Sequence, residues 1–229
     1  MNRVEKIDDL VAIKNALVSV SDKSGLPELV IGLSNVCPGI TLYSTGGTYK
    51  LIQETIQKHK LEKSIQLESV SSYTGQPEMQ GGLVKTLDFR IYLGLLSETY
   101  NPSHADDIQR TQAHEFDLTI VNLYPFAQTI ANTENSLEDA RANIDIGGPT
   151  MLRASAKNYL RVTVMSSPED YPALLEELEQ RSGSTSLGFR FAAAKKTFAH
   201  TAEYDTAIAE YLKNTEIPAQ LYQLENKGK

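Results

Sequence analysis

Residues 145–158 read DIGGPTMLRASAKN. Asp145 stands directly before Ile146, Gly147, Gly148 and Pro149, and Lys157 follows twelve positions after the acid. A carboxylate and an ammonium are the equipment for moving a proton. A Gly-Gly-Pro turn that opens a helix offers the N–H groups of residues 146–148 to an anion or a carbonyl oxygen. The plain alternative is that Asp145 only caps the helix. A helix over 149–157 spans roughly 13 Å at 1.5 Å per residue. Helical periodicity therefore cannot bring Asp145 and Lys157 together, and only tertiary structure can place them at one site.

Three further stretches carry groups of the same kind. SDKSG (21–25) supplies the Ser21 and Ser24 hydroxyls, the Lys23 ammonium and the N–H groups of a helix start, which are the parts of a phosphate cradle. Capping by Ser21 or Asp22 explains it equally well. STGGT (44–48) lets the backbone approach an anion at Gly46 and Gly47, with Thr45 and Thr48 as hydroxyl donors; a tight strand-to-helix turn is the competing use. Two such loops at successive strand ends favour the anion site. Neither is a GxxxxGK loop. GGLVKTL (81–87) sets Lys85 and Thr86 between apolar neighbours, so a cleft-facing ammonium competes with a solvated surface lysine. NLYPF (122–126) ends a strand with Asn122 and Tyr124, whose phenol either packs in the core or reaches a substrate.

The elements that must carry these groups alternate. The run NALVSV reads as a strand, LPELVIGLSNV as a helix with Pro27 in its first turn, GITLYS as a strand and YKLIQETIQKHKL as an amphipathic helix. FDLTIVN and RVTVMSS read as further strands. Helices are expected near Ser136, from Pro168 and over the alanine-rich stretch from Leu187, with RSGSTS as a loop. Successive strand–loop–helix units imply a parallel sheet with crossover helices, whose ligands sit at the carboxyl ends of the strands. Residues 1–14 are expected as a charged lead-in with a short helix, 15–130 as a nucleotide-binding core, and 131–229 as an α/β part that completes the site.

The totals fit this frame. The 229 residues are 41% hydrophobic and 22% charged, enough for a substantial core. A net charge of −7 argues against broad binding to nucleic acid or anionic membranes, which needs a basic face. Cys37 is the only cysteine, and His59, His104, His114 and His200 are scattered, so no metal is expected. With no secretory signal and no apolar run of membrane length, a cytoplasmic protein is expected.

The segments ALVSVSDKSG, STGGT, SYTGQPEMQGGLVKTL, VNLYPF, IDIGGPTMLRASAKN, VTVMSSPEDY and FAHTAEYDTAI, in this order from about Asn15 to Tyr211, resemble the IMP cyclohydrolase domains of bifunctional purine-biosynthesis proteins. SDKSG and STGGT are shared with the wider methylglyoxal-synthase-like group. The resemblance implies a methylglyoxal-synthase-like three-layer α/β sandwich with an additional C-terminal α/β segment. It implies dehydrative ring closure of the formamido nucleotide FAICAR to inosine 5′-monophosphate (IMP). Binding positions carry over to Ser21, Asp22, Lys23, Thr45, Gly46, Gly47, Thr48, Lys85, Thr86, Asn122, Asp145, Ile146 and Gly147, and catalytic positions to Lys85, Tyr124, Asp145 and Lys157.

On that resemblance Asp145 and Lys157 act on the carboxamide proton, and Lys85 and Tyr124 on the formyl oxygen. The Ile146 and Gly147 N–H groups face the oxyanion, and the two glycine- and serine-rich loops hold the 5′-phosphate. No cofactor is required, because no redox step occurs. A separate formyltransferase is expected to supply FAICAR, and a homodimer is among the open states. The sequence departs from the family pattern at Leu83, Asp88, Phe89 and Tyr92, with Arg90 as a compensating cation. Methylglyoxal synthase and a non-catalytic nucleotide sensor are the rival readings.

Overall fold

The computed structural model describes residues 3–76, 85–218 and 220–223. The strands are β1 (Leu10–Ala12), β2 (Asn15–Val20), β3 (Ile40–Ser44), β4 (Ile65–Ser69), β5 (Leu118–Asn122), β6 (Thr163–Met165) and β7 (Ser184–Ser186). Five of them form one sheet in the order β4-β3-β2-β5-β6, every pair parallel. Parallel neighbours need crossovers, which the chain supplies as helices: α1 (Leu26–Val36) and α2 (Gly46–His59) precede β3 and β4. Then come α3 (Val70–Thr74), α4 (Phe89–Leu96), α5 (Pro102–Thr111), α6 (Phe126–Ala131), α7 (Leu137–Ala142) and α8 (Gly147–Lys157). α9 (Tyr171–Gln180) and α10 (Leu187–Lys213) complete the order.

Strand alternation sorts the core into two faces. From β2, Ala16, Val18 and Val20 join Leu29 and Leu33 of α1, Ile52 of α2 and Leu174 of α9. Leu17 points the other way, into a cluster with Ile91 of α4, Leu152 of α8 and Ala194 of α10. Helices on both faces of one sheet make the three layers, and all five residues of β5 are buried, as a strand covered on both faces requires. Each fully buried leucine or isoleucine contributes about 1.5–3 kcal/mol.

Three local expectations change. Residues 10–12 form a strand rather than a helix, and residues 184–186 leave the expected loop to pair with it antiparallel. The Thr185 hydroxyl, buried, bonds that of Thr163 in β6 at 2.8 Å, which joins this small sheet to the large one. The helix expected from Pro168 begins as a single 3-10 turn before α9. The helix expected near Ser136 is α7, closed by a reciprocal capping box between Ser136 and Asp139. Among the described residues no helix is long and apolar enough to cross a membrane.

Candidate active site

Between β2 and β5 the connectivity changes direction. β3 and β4 follow β2 outward on one side, while β5 and β6 lie on the other. The loops leaving the two strands diverge there and open a crevice. The crevice is a cleft of about 580 Å³, the size of a small-molecule site. Ser21, Lys23, Thr45, Gly46, Gly47, Thr48, Lys85, Thr86, Asn122, Tyr124, Asp145, Ile146 and Gly147 all line it. Segments up to about 126 residues apart in sequence thus meet at one place.

One end of the cleft brings a helix start and an ammonium together. α2 begins at Gly46, whose φ of 50° is the left-handed region that favours glycine. Thr45, its extended N-cap, makes no side-chain bond to the helix. The first-turn N–H groups have no partner four residues back, and the positive end of the helix dipole opens onto the cleft. The Lys23 ammonium lies beside Gly47 and donates to the Ser21 carbonyl at 3.3 Å.

Two cleft residues expected as ligands also hold the loops. The Thr48 hydroxyl donates to the Val20 carbonyl at 3.0 Å and accepts the Val20 N–H at 3.2 Å. Asn122 Oδ1 accepts the N–H groups of Ser21 (2.7 Å) and Asp22 (2.9 Å), while its Nδ2 donates to the Asp22 carbonyl at 2.8 Å. Both side chains are buried and clamp the end of β2 in the place where Lys23 serves the cleft. Asp22 does not line the cleft. Its exposed carboxylate accepts the Ser24 N–H at 2.9 Å, and hydrogen bonding from Ser24 holds its carboxyl below the ordinary value.

The other end carries the proton-active groups. Gly148 N–H donates to Asp145 Oδ1 at 2.9 Å, and the Tyr124 and Gly147 N–H groups also stabilise the carboxylate. Burial outweighs them and pushes the Asp145 carboxyl above its ordinary value. The Gly147 and Gly148 N–H groups are therefore both directed at Asp145, which leaves Ile146 of the three expected donors. Both glycines are required by close approach. A Cβ on Gly148 would strike the Asp145 carboxylate and come within 2.7 Å of Leu123; one on Gly147 would come within 2.8 Å of the Thr86 hydroxyl. Tyr124 is 51% exposed, so its phenol faces the cleft rather than the core. Lys85 lines this cleft and an adjoining 190 Å³ pocket shared with Ser69, Ser71 and Gln76.

Lys157 does not join them. It is exposed at the far end of α8, roughly 15 Å of helix from Gly147. Arg90 does not line the cleft either: its guanidinium donates to the Tyr73 carbonyl at 2.9 Å, so it supplies no compensating cation. Asp88 is buried as the N-cap of α4 and Tyr92 packs between α4 and α8, while Leu83 lies outside the described residues. Ile144 and Met151 give the cleft an apolar wall. No sequence signal separates such residues from ordinary core.

Comparison with known proteins agrees with this geometry. Residues 26–150 match the model of the MGS-like domain, and residues 155–228 match that of the AICARFT/IMPCHase bienzyme. The bifunctional purine biosynthesis protein PurH of Cyanothece sp. is 47% identical over 88% of this chain and 37% of its own length. PurH of Acidithiobacillus ferrooxidans is 46% identical over the same shares. PurH of Rhodopirellula baltica is 42% identical over 94% of this chain and 40% of its own length. The chain thus spans well under half of these relatives. The crystal structure of ForH superposes with a TM-score of 0.71 at 30% identity, over 88% of this chain and all of that one. A family model matched over more than half of the chain, on a parallel sheet with its cleft at the strand switch, places this protein in the MGS-like domain family.

Proposed function

We propose that the protein closes FAICAR to IMP with loss of water. The observation that carries this reading is the convergence of Lys85, Tyr124 and Asp145 on one nucleotide-sized cleft beside the open N-terminus of α2. The 42–47% identity to bifunctional purine biosynthesis proteins supports it. The 5′-phosphate goes to the α2 N-terminus, Lys23 and Thr45, and the flat base lies against Ile144 and Met151.

The carboxamide nitrogen attacks the formyl carbon on the adjacent ring position, so the step is intramolecular and asks chiefly for orientation. As the C–N bond forms, the carbonyl electron pair moves to oxygen. Asp145 takes the amide proton; Lys85 and Tyr124 donate to the oxygen. The carbinolamine then loses that oxygen as water, with the former formamide nitrogen supplying the electron pair and giving up its proton. Lys157 has no part in this scheme, because its helix holds it outside the cleft. FAICAR must come from an activity that formylates the amine of the precursor nucleotide.

Purified protein mixed with FAICAR should produce the absorbance of IMP. Absence of IMP, with methylglyoxal released from dihydroxyacetone phosphate instead, would reject the reading in favour of the simpler relative.

A further inference from the structure

We infer that Tyr204, on α10, is the positioning residue that sets Asp145 at its working height in the cleft; the inference deepens the ring-closure reading and rests on it. Tyr204 is only 8% exposed and does not line the cleft. Its hydroxyl accepts the Asp145 N–H at 2.8 Å and donates to the Asn143 carbonyl at 3.5 Å. One phenol thus holds both sides of the turn that leads into α8. Its ring meets Phe126 edge-on at 6.2 Å, and the Phe126 N–H in turn donates to the Tyr124 carbonyl at 2.8 Å.

The two loops that carry Asp145 and Tyr124 are therefore tied to a single side chain from a helix about 60 residues further along. The carboxylate itself is held by the N–H groups of Gly148, Gly147 and Tyr124, but none of those bonds fixes the height of the Asp145 backbone. The bond from Tyr204 does. Misplacing a reacting group by about 1 Å costs up to about 100-fold in rate.

Tyr204→Phe keeps the ring on Phe126 and removes only the hydroxyl. Its kcat for FAICAR should fall about 10- to 100-fold, while KM and the Kd for IMP stay within about twofold, because the anion end is untouched. Amide hydrogen exchange at Asp145, measured without ligand, should speed up by about tenfold or more as the N–H loses its acceptor. Tyr211→Phe, which strips the hydroxyl from the other ring packed on Phe126, should change neither quantity. Unchanged exchange at Asp145 in Tyr204→Phe overturns the inference whatever the activity. A loss shared by kcat, KM and thermal midpoint overturns it too, in favour of plain structural support. If the unaltered protein makes no IMP, the ring-closure reading fails, and the exchange measurement still decides on Tyr204.

Discussion

A carboxylate works as a base only where its proton affinity has been raised without losing its reach. At Asp145 burial raises it, and three backbone N–H groups keep the anion accessible. A base must be ionised to accept a proton, so kcat/KM should fall as pH drops through a value above the ordinary Asp value of about 3.9. Asp145→Asn should cost about 10²- to 10⁴-fold in kcat and abolish that acid limb. The stability consequence has the opposite sense. A carboxyl whose folded value is raised stabilises the fold below the unfolded value and loses that contribution as pH rises through the folded one. At neutral pH burial makes the ionised Asp145 a cost to the fold, so Asp145→Asn should melt no lower than the parent in calorimetry while kcat falls by that factor. Lys85→Met tests the oxygen side. It should lower kcat by about 100-fold or more, and undiminished turnover would remove Lys85 from the mechanism.

At the scale of the element, strand ends and helix starts decide where those groups point. Thr48 and Asn122 bond the backbone of β2 and the following turn from inside the cleft lining. Thr48→Val leaves the buried N–H and carbonyl of Val20 without that partner; it should cost about 1–3 kcal/mol in denaturant unfolding and raise KM, since Lys23 loses its anchor. A rise in KM without any loss of stability would show that the hydroxyl binds ligand after all. The sequence displays the polar character of such residues but not the direction in which they bond. For that reason the loops were legible as parts of the cleft while the bonds that Thr48, Asn122 and Asp22 make within them were not. Strands β2, β3, β5 and β6 announced themselves by apolar runs, because both of their faces are covered. β4 carries one buried residue in five and β7 is Ser-Thr-Ser, so neither shows a hydrophobic signal; both exist through their pairing partners. Lys157 lies outside the cleft lining for a related reason. A motif lists residues along a helix, and a helix of eleven residues separates its two ends however well the letters match.

Across the whole molecule, the second half reaches the cleft only because something fixes it to the first, and buried arginines contribute much of that connection. Arg190 on α10 is fully buried, with its guanidinium donating to the carbonyls of Tyr159 (2.9 Å), Leu160 (3.2 Å), Asp8 (2.9 Å), Asp9 (3.0 Å) and Thr185 (2.5 Å). One side chain thereby joins the N-terminal segment, the turn before β6, β7 and α10. In an alanine-rich helical stretch such an arginine reads as a solvated charge, and only tertiary structure reveals it as a tie. Arg190→Met has similar length and no donors, so it strands the buried Thr185 carbonyl and four part-buried ones at once. Denaturant unfolding should show a loss on the order of 3–5 kcal/mol, a large part of the stability of a domain this size. Because the arginine touches neither the α2 N-terminus nor the loop of Asp145, the fraction that remains folded at low temperature should bind IMP with unchanged Kd. A weaker Kd in that folded fraction would mean that α10 transmits its position to the cleft directly. The tie and the site would then be one device rather than two.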